Sequence, residues 1–142
     1  MNVVDANVLL ALYRPDHPHH DVATAWWSDS ARSGEPVTVP DLIWVAFARI
    51  VTNRRVFPVP ATFAQAWRFA ETVMRQPTYL TYSGDVRALR EFARIARASG
   101  ASANLVTDVY VAATATALGA RVVTFDRDFR KFDGVRVTEL GA

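Results

Sequence analysis

Cysteine is absent from the 142 residues, which removes disulfides, thiolate nucleophiles and zinc–cysteine sites together and agrees with a reducing compartment. Lysine is nearly absent as well: 15 of the 16 positive residues are arginine, and Lys131 is the exception. No apolar run approaches the roughly 18 residues of a membrane span, and no basic segment precedes an apolar one at the N-terminus. Neither membrane anchor nor signal peptide is expected, and the cytoplasm is the expected location. Repeats, linkers and low-complexity segments are also missing.

What is present describes one compact domain over residues 1–142. Hydrophobic residues make up 51% and charged residues 21%, which suits a buried core and not a disordered chain. The net charge of +2 is too small to point to nucleic acid by itself.

The pattern along the chain alternates strands with helices. Asn2-Val3-Val4 has strand composition and ends on Asp5, after which Asn7 is placed to cap a short apolar helix through Leu9, Leu10, Leu12 and Tyr13. Asp21 caps a second helix, Val37-Thr38-Val39 forms a second strand, and Pro40-Asp41 opens a mostly buried third helix through Val51. Thr62 with Gln65 is a capping box for a fourth helix. Tyr79–Tyr82 reads as a strand, Asp85 caps a fifth helix ending at Ser99-Gly100, and Asn104 or Thr107 caps a sixth. Arg121–Phe125 and Val135–Val137 are the last strands. The order predicts an α/β fold: a three-layer sandwich whose mostly parallel central sheet carries helices on both faces.

A carboxylate at the C-terminal end of a strand sits where such sheets place their ligands. Asp5 ends the first strand, Asp108 lies in the first turn of the sixth helix, and Asp126 and Asp128 follow the strand that this helix feeds. The 18 residues from Asp108 to Asp126 are a helix, a turn and a strand, so the chain leaves and returns to one edge of the sheet. Taken singly, Asp5 and Asp126 are also ordinary turn residues, Asp108 a favourable charge at a helix N-terminus and Asp128 a helix cap. Carboxylates brought together need protons or cations between them, and hard oxygen ligands suit Mg²⁺ or Mn²⁺.

The stretches Val3-Val4-Asp5-Ala6-Asn7, Asn104-Leu105-Val106-Thr107-Asp108 with Ala112-Ala113, and Val123–Phe129 resemble PIN-domain ribonucleases, specifically VapC-type toxins of bacterial toxin-antitoxin pairs. Ala46–Phe57 resembles one subgroup of them. The resemblance implies a Mg²⁺-dependent endoribonuclease, with Mn²⁺ able to substitute, that takes RNA as substrate, is inhibited by a cognate antitoxin and is often a homodimer. By position, Asp5, Asp108 and Asp126 would be catalytic acids and metal ligands, Asp128 a further acid, and Asn7 and Thr124 polar support. The chain departs from its family on the third helix, where Ala46 stands at the usual glutamate position. Asp41 is the nearest acid, but on a helix it points about 140° away and lies about 7.5 Å along the axis. It reads better as an N-cap.

Other features have plainer uses. His17, His19 and His20 share one turn-rich loop, whereas catalytic zinc sites draw ligands from rigid elements. Trp26, Trp27, Trp44 and Trp67 fit core packing, with one or two free to line a partner groove. Arg87, Arg90, Arg94 and Arg97 form a stripe on the fifth helix, either a solvated face or a contact for RNA phosphates. Two rival functions stay open: a phosphatase using Asp5 as nucleophile, which usually wants a second acid and a supporting lysine, and a non-catalytic binding module.

Overall fold

Strand β1 (Asn2–Val4) lies inside the sheet, with β2 (Val37–Thr38) on one side and β3 (Arg121–Thr124) on the other. A computed structural model describes residues 1–141. Between the strands run α1 (Ala6–Tyr13), α2 (His20–Ser33), α3 (Asp41–Val51), α4 (Phe63–Met74), α5 (Val86–Ser99) and α6 (Asn104–Ala117). A 3-10 turn (Arg127–Lys131) then leads to β4 (Val137–Glu139), giving the sheet order β2-β1-β3-β4.

All neighbouring strands are parallel, so each strand-to-strand connection must cross back along the sheet, and helices occupy most of those connections. Val3, Val4, Val122 and Val123 are fully buried although successive side chains point to opposite faces, so both faces of the centre are covered. Helix α6 packs on β1 and β3, with α5 against its outer side, while α1 joins β3 to α2 and α3. Phe47 of α3 meets Tyr13 and Trp44 edge-on and Phe69 at a tilt, with ring centroids 5.8, 5.9 and 5.4 Å away. No helix among the described residues is long and apolar enough to cross a membrane.

Several local expectations change. Tyr79–Tyr82 is not a strand: Tyr79 makes one bridge to Val37, and beyond the Leu80 amide, which donates to the Val37 carbonyl at 2.8 Å, the segment leaves the edge. Tyr79 acts through its side chain instead. Its hydroxyl accepts from Trp44 Nε1 at 3.1 Å and ties α3 to that edge. Strand β4 starts at Val137 and not at Val135, because the Val135 amide is taken by the Phe132 carbonyl in closing the preceding turn.

The caps change too. Asp5, and not Asn7, caps α1 by accepting from the Ala6 amide at 2.8 Å. His19 precedes α2, with Asp21 inside its first turn. Asp41 is the first residue of α3 and makes no capping bond, since the extended Pro40 precedes it. Neither Asn104 nor Thr107 caps α6, which follows Ala103 at φ 53° with no side-chain cap. Asp126, and not Asp128, caps the 3-10 turn. By contrast Asp85 and Gly100 bound α5 as expected.

The capping box of α4 is complete: the Gln65 amide donates to Thr62 Oγ1 at 3.1 Å and the Thr62 amide to Gln65 Oε1 at 2.9 Å. Thr62→Ala is expected to cost about 1 kcal/mol, with Thr62→Ser near wild type. In a thermal melt followed by circular dichroism, the Ala variant should unfold about 3–6 °C lower.

Candidate active site

The register that pairs Val4 with Val123 brings the C-terminal ends of β1 and β3 side by side, and the Asp5 amide donates to the Val123 carbonyl at 3.0 Å. Asp5 is buried, with 7% of its surface exposed, so its carboxylate depends on partners. Oδ1 accepts from the Ala6 amide at 2.8 Å, and Oδ2 accepts from Thr124 Oγ1 at 2.8 Å and Asn7 Nδ2 at 3.2 Å. Asn7 is inside α1, where its Oδ1 also accepts from the Phe125 amide at 3.2 Å. The support expected of Asn7 and Thr124 thus takes the form of hydrogen bonds to Asp5.

Thr124 Oγ1 also accepts from the Asp126 amide at 3.0 Å, and Asp126 Oδ1 accepts from the Asp128 amide at 2.8 Å. These bonds turn the chain after β3 towards α6. There Asp108, Asp126 and Asp128 each offer a carboxylate oxygen within 4.8 Å of the others. Asp5, Asp108 and Asp126 line one open pocket of about 280 Å³, and Asp128 joins the cluster from beside it, paired with Lys131 at 3.0 Å.

Crowding of like charge shows in the proton affinities. Burial pushes the Asp108 carboxyl up to about 7, with the charges of Asp5, Asp126 and Asp128 adding to it and Lys131 opposing. Burial also raises Asp5, against the lowering effect of the Thr124 and Ala6 hydrogen bonds. A donor set of close carboxylates, one of which is pushed up to about 7 by burial and by its acidic neighbours, fits a hard divalent cation.

Helix α3 also contributes to the lining, through Ile43, Ala46, Arg49 and Ile50. Ala46 lines the same pocket as Asp5, Asp108 and Asp126, while the exposed Asp41 is not part of the lining. Arg49, Asn104 and Thr107 are pocket residues that sequence reasoning missed. Their signal was helical spacing, with Arg49 three residues after Ala46, and Thr107 beside Asp108.

Of the α5 stripe, Arg87 pairs with Asp85 at 3.0 Å and Arg94 with Glu91 at 2.7 Å. Arg90 and Arg97 have no ion pair among the described residues, and none of the four lines the acidic pocket. The histidines serve the loop: His17 Nδ1 accepts from the His19 amide at 3.0 Å, His20 Nδ1 lies 2.8 Å from the Ala11 carbonyl, and His19 stacks on Phe125 at 4.5 Å.

The PIN domain family matches residues 3–135. Ribonuclease VapC31 of Mycobacterium tuberculosis is 40% identical over 136 residues, spanning 96% of this chain and 96% of that protein. Ribonuclease VapC25 of the same organism is 39% identical over the same shares. Among solved structures, VapBC2 from Rickettsia felis bound to a DNA fragment from its promoter superposes with TM-score 0.73 at 10% identity, covering 98% of each chain. The sarcin-ricin loop cleaving toxin VapC20 of M. tuberculosis superposes with TM-score 0.67 at 16% identity, covering 96% of this chain and 99% of that one.

The raised Asp108 has a consequence for stability. Between its ordinary value of 3.8 and about 7, the folded chain holds a proton that the unfolded chain releases, so stability falls as pH rises through that window. In EDTA, Asp108→Asn should match wild type near pH 4 and exceed it at pH 8 by about 1–2 kcal/mol, a figure discounted for solvent screening. Urea melts across that range check it, and a wild-type curve parallel to the variant's is the contrary result.

Proposed function

The chain belongs to the PIN-domain family, within its VapC ribonucleases, and from that membership we propose that it is a metal-dependent endoribonuclease, the toxin of a type II toxin-antitoxin pair, hydrolysing RNA phosphodiester bonds in the acidic pocket. The observation that carries this reading is the gathering of Asp108, Asp126 and Asp128 within 4.8 Å, with Asp5 lining the same pocket as Asp108 and Asp126. Asp108, Asp126 and Asp128 would hold Mg²⁺, or Mn²⁺ in its place, together with Asp5. A bound ion of this kind supplies positive charge to phosphate oxygens and acidifies an attacking water.

The chain's own residues do the rest. Asp5 cannot swing away, because Ala6, Thr124 and Asn7 hold both its oxygens. Asp108 gives up its proton as the site is loaded, so loading is favoured by rising pH. The Asp126 carboxylate accepts from the Asp128 amide, the Asp126 amide donates to Thr124 Oγ1, and the Asp128 carboxylate pairs with Lys131, so the two acids are tied into one turn. Ala46 leaves the α3 wall without a carboxylate, so ion affinity is weaker than in a site with one more acid. The phosphatase reading has less support, because Asn7 stands two residues after Asp5 where such enzymes want a second acid, and the only lysine, Lys131, pairs with Asp128.

The same reading extends to partners. A cleft of about 310 Å³ lined by Leu12, Trp27, Phe69 and Val73, between α1, α2 and α4, suits the apolar segment of a cognate antitoxin, which would send a basic side chain into the acids. Leu42, Val45, Val86 and Leu89 are exposed apolar residues that a homodimer would cover, and Arg90 and Arg97 remain free for RNA phosphates. The protein would act as one PIN-like domain in the cytoplasm.

Labelled single-stranded or loop RNA incubated with Mg²⁺, Mn²⁺ or EDTA, beside a small phosphoester, tests the proposal. Cleavage of RNA alone, and only with metal, is expected; full cleavage in EDTA overturns it. Asp5→Asn and Asp108→Asn should each lose more than about 100-fold in activity while staying folded. Asp41→Ser should cleave like wild type, and Ala46→Glu should tighten Mn²⁺ binding measured by paramagnetic resonance.

A further inference from the structure

The acidic pocket has one cationic residue in its lining, Arg49, which comes from α3, whereas the carboxylates come from the ends of β1 and β3 and from α6. Within α3, Ile43, Trp44, Phe47, Ala48 and Val51 are buried, and of these Ile43 also reaches the pocket lining, together with the half-buried Ala46 and Ile50 and the exposed Arg49. The side chains of Ile43, Ala46 and Ile50 offer no hydrogen bond to a charged ligand, so Arg49 is the only charged or polar side chain that α3 brings to the pocket lining.

Arg49 is also uncommitted. Its guanidinium is exposed, makes no side-chain hydrogen bond and lies within 4.0 Å of no carboxylate among the described residues. Some arginines with an acid in reach do pair with it, as Arg14 does with Asp16, Arg87 with Asp85, and Arg130 with both oxygens of Glu139 at 2.8 Å, whereas Arg49 pairs with none of the three acids in its pocket. The cation that Asp108 feels is Lys131 and not Arg49. A guanidinium that shares a pocket with three acids and pairs with none leaves a gap of opposite polarity, negative on the β1/β3/α6 side and positive on the α3 side.

The ligand that fits such a gap is an anion that also binds cations, and a phosphodiester is one. Its non-bridging oxygens can face an ion held by the acids on one side and the planar fork of a guanidinium on the other. Asn104 and Thr107, exposed on the first turns of α6, supply neutral hydrogen-bonding groups along the same pocket. We propose that Arg49 binds the phosphate of the RNA strand in this pocket and positions it against the acids. The proposal rests on the ribonuclease reading and adds to it the residue that grips the substrate.

The test uses the full chain with Arg49→Ala and Arg49→Lys. With labelled RNA and Mg²⁺, Arg49→Ala should lose about 10–100-fold in kcat/KM and Arg49→Lys about half that on a logarithmic scale, since lysine keeps the charge and loses the fork. RNA binding measured against salt, with Ca²⁺ replacing Mg²⁺, should become shallower by about 0.7 in the logarithmic slope, the value for one contact on a single strand. Mn²⁺ should bind Arg49→Ala as tightly as wild type or more tightly, and the melting temperature should hold. Wild-type kcat/KM and an unchanged salt slope in Arg49→Ala overturn the proposal. So does a loss of activity accompanied by lost Mn²⁺ binding or a lowered melt, which would make Arg49 a structural residue. Should the wild-type protein cleave no RNA at all, the ribonuclease reading fails, and the salt-slope arm still decides whether Arg49 grips phosphate.

Discussion

One hydroxyl ties the two central strands to the chemistry at their ends. Thr124 Oγ1 gives its proton to Asp5 Oδ2 at 2.8 Å and accepts from Asn7 Nδ2 and the Asp126 amide, both at 3.0 Å. A hydroxyl has one donor and two acceptor positions, and all three are used. Without the Thr124 bond the buried Asp5 carboxylate would keep two of its three hydrogen-bond donors, a costly loss in a low-dielectric interior. Through the Asp126 amide the same group sets where the turn after β3 begins, and so where Asp126 and Asp128 stand.

From that anchor the site accumulates charge that the fold does not neutralise. Lys131 pairs with Asp128 and only opposes the effects on Asp108, whose carboxyl is pushed up to about 7 by burial first and by the neighbouring acids second. Such crowding of acids costs stability in the protein alone, which is how the cluster differs from a structural ion-pair network. Helix α3 adds Arg49 to the same lining without an ion pair to any of the acids among the described residues, so the pocket carries charge of both signs.

Local chemistry was legible where it is self-contained. The Thr62–Gln65 box and the Asp85 and Gly100 ends of α5 need only neighbouring residues, and they form as their spacing predicts. Strands β1 and β3 were legible as short apolar runs ending on acids. Tyr79–Tyr82 misled because its composition suits a strand, yet a strand also needs a paired neighbour, and β2 offers it a single bridge. The caps of α1 and α6 misled for a related reason: Asn7 is drawn across to Thr124 and the Phe125 amide, and α6 begins after Ala103 with no side chain on its first amides.

The order of strands and helices, the absence of thiol chemistry and the placement of acids at strand ends were determined by the sequence itself, because each depends on residue type and short-range periodicity. The partition of those acids was decided by the tertiary structure: Asp108, Asp126 and Asp128 draw together while Asp5 is claimed by Thr124 and Asn7. So was the membership of the pocket, which takes in Ala46 and Arg49 and leaves out Asp41 and the α5 arginines. The reason is distance in the chain. Asp5 and Thr124 are 119 residues apart, and only the sheet order that sets β1 beside β3, with α3 and α6 flanking their ends, determines which side chains face one another across the gap.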